Sequence, residues 1–383
     1  MGRPRAIFDT EHEDFRKIVA EFVAREIAPH AEQWDADGIV SREVWRAAGQ
    51  QGLLGWFVAE EYGGGGVGDD FRYNAVLTEE LTRLGGSGVA LSLHNDVIGP
   101  YLVRLADDEQ KQRWLPGFCS GELITAIAMT EPGAGSDLNG IATRAEDRGD
   151  HWLLNGQKTF ISNGILSDLI IVVARTDPDA GHKGISLLVV ERGMSGFERG
   201  RNLAKMGQHA QDTAELFFTD VVVPKENLLG TPNRGFAHLM ENLPSERLAI
   251  AVAAASAAEK AFALALEHAR TRQAFGRPIG AFQHNRFVLA ELATEVDVMR
   301  TYVDHCIARM VEGTLDAVGA AKAKWWTTEL TQKIINAAVQ LHGGYGYMSE
   351  YEISRMYTDT RVHTIYGGTT EIMKEIIGRS LGI

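Results

Sequence analysis

Between Leu123 and about Gly230 the hydrophobic pattern changes from a helical period to short β runs, and no helical pattern interrupts them. Strands in succession without crossover helices exclude a Rossmann sheet and point to an antiparallel sandwich or barrel. DLIIVVART, KGISLLVVER and TAELFFTDVVVP read as strands, the last stopped by a proline. Asn155-Gly156 in HWLLNGQKTFIS is the dipeptide of a tight hairpin turn. The segments on either side are helical. FRKIVAEFVAREIA places Phe15, Ile18, Val19, Phe22, Val23 and Ile27 on one stripe. ERLAIAVAAASAAEKAFALALEHARTR is apolar around most of its circumference, as befits the middle of a bundle. The expected order is therefore helical domain (1–122), middle β domain (123–232), helical-bundle domain (233–383).

A chain of 383 residues is long enough for such a division. No apolar run approaches about 18 uncharged residues, so no membrane span is expected. The net charge of −13 repels phosphate backbones and argues against nucleic acid. Cys119 and Cys306 are far apart and form no CxxC, which disfavours a disulfide framework. The N-terminus turns acidic at once, without a signal core or transit-peptide composition, so a cytoplasmic protein is expected. No two of the 12 histidines lie within four residues, so HExxH is absent and no metal site is expected. GxSxG and GxxxxGK[ST] are absent too, and the neighbours His305 and Cys306 would point apart on a helix. Gly63, Gly65 and Gly68 satisfy GxGxxG, but outside a βαβ unit they read as a turn.

Met129-Thr130-Glu131-Pro132-Gly133-Ala134-Gly135-Ser136-Asp137 leaves a strand and enters a loop of small residues. Its glycines let backbone N–H groups approach a ligand, and Thr130 and Ser136 offer hydroxyls. This string, then NGQKTFISNG, KMGQHAQDTAELFFTDVVVPKENLLG, TRQAFGRPIGAFQ, QLHGGYGY and IYGGTTEIMKEIIGR, resembles the motifs of the acyl-CoA dehydrogenase family in family order, most like its long-chain branch. The resemblance implies an α+β multidomain fold: an N-terminal α-helical domain, a middle antiparallel β-barrel or sandwich and a C-terminal four-helix bundle. It implies FAD as cofactor, an acyl-CoA substrate, an electron-transfer flavoprotein as acceptor and a homotetramer. Carried onto this chain, Ile127, Ala128, Met129, Thr130, Gly135 and Ser136 would line the flavin, with Phe160, Ile161 and Ser162 against its ring. Arg272 and Phe275 match contacts to the adenine and pyrophosphate, and Gln283 with Gln340, Leu341, His342, Gly343 and Gly344 match further FAD positions, some across a subunit interface. Thr369 and Glu371 match further cofactor positions, and Ser136, Arg247, Tyr366 and Gly367 would meet the thioester.

One motif departs from the commoner family pattern. Many members carry a catalytic glutamate in a Tyr-Glu-Gly-Thr string, where this chain has Tyr366-Gly367-Gly368-Thr369. Leu243-Pro244-Ser245-Glu246-Arg247-Leu248 resembles the long-chain and isovaleryl branches, whose base sits on this helix, so Glu246 is expected to abstract the α-proton. Read locally, Glu246 two residues after a proline is equally a first-turn glutamate. Gly367 would keep a backbone donor for the enolate, and flavin would take the β-hydride. Two other readings share these residues: an acyl-CoA oxidase passing electrons to dioxygen, and a non-catalytic flavin or acyl-CoA-binding subunit.

Overall fold

A computed structural model describes residues 5–86 and 88–383. The first third forms α1 (Thr10–Phe22), α2 (Ala31–Asp37), α3 (Arg42–Gln50), α4 (Phe71–Leu84), α5 (Gly99–Leu105) and α6 (Asp108–Ser120). Phe15, Val19 and Phe22 of the expected stripe are buried, while Ile18 is 43% exposed. A π-helical turn at Val23–Ile27 continues α1 and keeps Val23 and Ile27 in the core. A second π turn, Leu93–Ile98, leads into α5.

The middle region contains β1 (Thr125–Ala128), β2 (Arg144–Asp147), β3 (His151–Ser162), β4 (Leu169–Arg175), β5 (Ile185–Glu191), β6 (Phe197–Asn202), β7 (Thr213–Pro224) and β8 (Leu228–Leu229). They form one sheet in the order β6-β7-β3-β2-β4-β5-β8, with β1 also on β4. The sheet is mixed and not antiparallel throughout. Strands β1 and β2 both run parallel to β4, β1 opposite Leu169 to Val172 and β2 opposite Arg175. They follow one another along the same edge of β4, and the residues between them are ejected as a loop. Glu131 closes that loop, accepting from the Ala142 and Thr143 N–H groups at 2.7 and 3.0 Å and from buried Lys158 Nζ at 2.8 Å.

The expected hairpin at Asn155-Gly156 is absent, because β3 runs through both residues with a register shift against β7. The Asn155 amide is engaged by Asp220, whose N–H donates to Asn155 Oδ1 at 2.9 Å. A side chain at Gly156 would meet Thr143 Oγ1 at 2.5 Å, so the glycine serves close strand packing rather than a turn. The real turn precedes β3: Gly149, at φ 90°, donates to Asp147 Oδ1, and Arg148 N donates to His151 O. A second shift between Lys158 and Ile161 leaves Phe160 at φ 59° and 68% exposed, between buried neighbours.

The last third consists of α7 (Gly235–Thr271), the two-stranded β9 (Gln273–Ala274) and β10 (Arg277–Pro278), then α8 (Gln283–Val311), α9 (Ala317–His342), α10 (Glu352–Asp359) and α11 (Thr370–Ser380). By length and hydropathy α7 could cross a membrane, yet it is the core helix of the bundle, packed against α4, α8 and α9. Ala251, Ala254, Ala255, Ala258 and Ala261 are at most 1% exposed, and these small residues let α9 approach until Thr331 Oγ1 donates to Ala254 O at 2.8 Å. α7 begins at Gly235, so Pro244 lies inside the helix and Glu246 sits well beyond its first turn. The helix dipole therefore does not explain that glutamate.

Candidate active site

The β1–β2 loop, the second π turn, one face of α7 and the turn before α11 enclose a cavity of about 1290 Å³. Single small-molecule pockets are about 300–1,000 Å³, so this space suits two ligands side by side. One wall carries Ile127 from β1, Met129, Thr130, Gly135 and Ser136 from the loop and Phe160, Ile161 and Ser162 from β3. Phe160 offers an aromatic face that nothing in the β core covers. An aromatic residue held at positive φ is strained, and such strain collects at ligand sites. Ala128 departs from expectation: it is fully buried in the sheet and does not border the cavity.

The opposite wall brings together Glu246, Arg247, Tyr366 and Gly367, from segments about 120 residues apart. Glu246 is 5% exposed. Burial pushes its carboxyl up to about 7, although a hydrogen bond from Tyr101 and the charge of Arg247 favour ionisation. Arg247 Nε donates to Gly367 O at 3.3 Å, and buried Lys324 Nζ donates to Gly368 O at 2.6 Å. With both carbonyls held from behind, the Gly367 N–H has no acceptor among the described residues. Gly367 has φ 64°, and a β-carbon there would stand 2.3 Å from Ile250 Cδ1. A glutamate cannot occupy this position without displacing the α7 side chain one turn beyond Glu246.

The remaining expected residues form a second group at the far end of the bundle. Arg272 follows α7 and lies 5.6 Å from the Tyr345 ring, and Phe275 is 95% exposed at φ 52°. Gln283 starts α8, and Gln340 to Gly344 end α9, with His342 stacked on His268 at 4.2 Å. None of this group borders the cavity. Thr369 and Glu371 lie outside it as well: Thr369 caps α11, its Oγ1 accepting from Ile372 N, and Glu371 is exposed in the first turn. Tyr101, Asn242, Ile250 and Lys324 were missing from the sequence expectations. Tyr101 and Lys324 lie on ordinary helical stretches with no motif around them, Asn242 and Ile250 flank the Leu243–Leu248 string without belonging to it, and only tertiary contact marks them out.

Family models for the acyl-CoA dehydrogenase N-terminal, middle and C-terminal domains match residues 9–122, 126–221 and 233–382. The mouse protein named long-chain specific acyl-CoA dehydrogenase, mitochondrial, is 48% identical over 98% of this chain and 88% of its own length. A crystal structure of an acyl-CoA dehydrogenase from Geobacillus kaustophilus superposes with a TM-score of 0.97 at 50% identity, covering 99% of this chain and 100% of that one. An acyl-CoA dehydrogenase complexed with FAD from Bacillus anthracis gives 0.89 at 31% identity, covering 98% of this chain and 67% of that one. The protein is thus an FAD-dependent oxidoreductase that acts on CH–CH bonds of acyl-CoA thioesters. It belongs to the acyl-CoA dehydrogenase family, closely related to the long-chain branch. The expected cytoplasmic location is overturned, since the mouse, rat and pig relatives at 48% identity are all named as mitochondrial. The acidic start of the chain, from which that location was read, carries no such information.

Proposed function

We propose that Glu246 is the base that removes the α-proton of a long-chain acyl-CoA, generating the trans-2-enoyl-CoA. The observation that carries this reading is the pairing of a buried carboxyl, raised to about 7, with a left-handed glycine whose β-carbon would press on Ile250 Cδ1. A base with a pKa near the working pH is the most effective general catalyst. Gly367 N–H donates to the thioester oxygen and stabilises the charge that develops as Glu246 takes the proton. Arg247 and Lys324 hold the Gly367 and Gly368 carbonyls and so fix the turn that carries this N–H. Ser136 and Tyr366 border the thioester. The exposed Phe160 ring and the hydroxyls of Thr130, Ser136 and Ser162 suit a flat, polar-edged ring system, and with Ile127, Met129, Gly135 and Ile161 they hold the flavin. When bound, FAD supplies the acceptor for the β-hydride.

Beyond the base, Ala249, Ile250, Ala253 and Ala257 continue along the cavity face of α7. The span from Glu246 to Ala257 is about 16 Å at about 1.5 Å per residue, the reach of a long acyl chain. Arg272, Phe275, Gln283, Gln340, Gly343 and Gly344 of the second group are exposed and outside the cavity, which suits binding of the cofactor's adenine end across an interface between two copies in a homotetramer. Electrons leave to an electron-transfer flavoprotein; peroxide formed in air at the rate of turnover contradicts this and favours the oxidase.

Anaerobic mixing of the FAD-bound protein with acyl-CoAs of graded length tests the reading. The wild type bleaches fastest with long chains. Glu246→Gln still binds them but bleaches slower by a factor on the order of 10³ or more. Bleaching by Glu246→Gln at the wild-type rate removes the proposed base.

A further inference from the structure

Tyr101 comes from α5, 145 residues before Glu246, and both side chains are buried in the wall between α5 and α7. Its hydroxyl donates to Glu246 Oε1 at 3.0 Å. Asn242 lies one turn before Glu246 on α7. Arg104 Nη1, one turn after Tyr101 on α5, donates to Asn242 Oδ1 at 3.1 Å. A guanidinium can only donate, so it fixes which end of the amide it meets.

We propose that Tyr101, carried on α5 beside the Arg104–Asn242 contact that ties α5 to α7, is a positioning residue that holds the Glu246 carboxylate in the geometry for α-proton abstraction. The proposal rests on the reading of Glu246 as the base. The chain of contacts is not a proton relay, because neither a guanidinium nor an amide passes protons at neutral pH. It works by occupying Oε1, which leaves Oε2 as the basic atom, and by favouring the ionised carboxyl inside an apolar wall. Other ionisable groups around this wall are Arg247 on α7, Asp96 from the second π turn, Lys324 from α9, and His363 and Tyr366 before α11. None of them donates a hydrogen bond to Glu246. A donor supplied by a distant helix is what a base needs when its own helix cannot provide one.

Tyr101→Phe keeps the ring and removes the donor. In anaerobic single-turnover bleaching against pH, the acid limb moves up by about one pH unit, as expected for loss of one hydrogen bond to a charged group. Fluorotyrosine at position 101, a stronger donor of nearly the same shape, moves the limb down. Infrared titration of the protonated carboxyl band, assigned by its loss in Glu246→Gln, shifts in the same directions without turnover. In the Glu246→Gln background, Tyr101→Phe has no further effect on the residual rate, the non-additivity of residues acting as one unit. A limb that stays in place in both Tyr101 proteins, with Glu246→Gln inactive, overturns this proposal and leaves the base intact. Wild-type bleaching by Glu246→Gln overturns both.

Discussion

At Gly367 the backbone is left-handed and Ile250 Cδ1 fills the space a β-carbon would take. Gly367→Glu is therefore expected to be destabilised by about 1–3 kcal/mol and to leave Glu246→Gln unrescued. Melting temperature and bleaching rate together check this, and removing the Ile250 obstruction with Ile250→Ala should recover part of the lost stability. Ionisable residues in the same cavity set the pH behaviour. Burial raises Asp96 from 3.8 to about 7 and Glu246 from 4.5 to about 7. Their contribution to stability is full below about pH 4 and is lost as pH rises through 7. His94 is the reverse case: burial lowers it from 6.5 to about 3, so its contribution holds above 6.5 and is lost as pH falls through 3. Asp96→Asn keeps an acceptor for Asn74 and removes the charge, so it should melt above the wild type at pH 8 and near it at pH 5. A melting difference independent of pH contradicts that assignment. That Glu246 and Gly367 share one cavity was legible because the loss at Gly367 and the gain in LPSERL could be read together. Tyr101 was not legible, since nothing in GPYLVRL marks a tyrosine that meets its partner only after folding.

At the scale of elements, α7 unites the site and the core. One face carries Glu246, Arg247 and Ile250 to the cavity, and another lets α9 approach through alanine. Ala254→Leu should overpack the α7–α9 contact, costing about 1–3 kcal/mol, and break the Thr331 hydrogen bond to Ala254 O. Chemical denaturation measures the loss, and an unchanged midpoint contradicts the close approach. Helices were readable here because their apolar period is local. The strands were readable singly for the same reason, but their pairing was not. Two parallel partners sharing one edge of β4 leave no trace in alternation, and Asn155-Gly156 carries a turn signal that the strand contacts of β3 override.

At the scale of the whole molecule, the helical and β layers meet around a large cavity, and the proposed site lies at their junction. In the proposed site the sheet would contribute the flavin wall, α5 the donor, α7 the base and the C-terminal turn the backbone N–H. The central claim is that a carboxylate from α7 removes the α-proton where Gly367 supplies none. Exchange of α-deuterium from a labelled acyl-CoA into solvent, catalysed by the FAD-bound protein, reads that step apart from hydride transfer. Wild type should wash the label out, Glu246→Asp should do so slowly, and Glu246→Gln should retain it. Washout by Glu246→Gln at the wild-type rate would contradict the account.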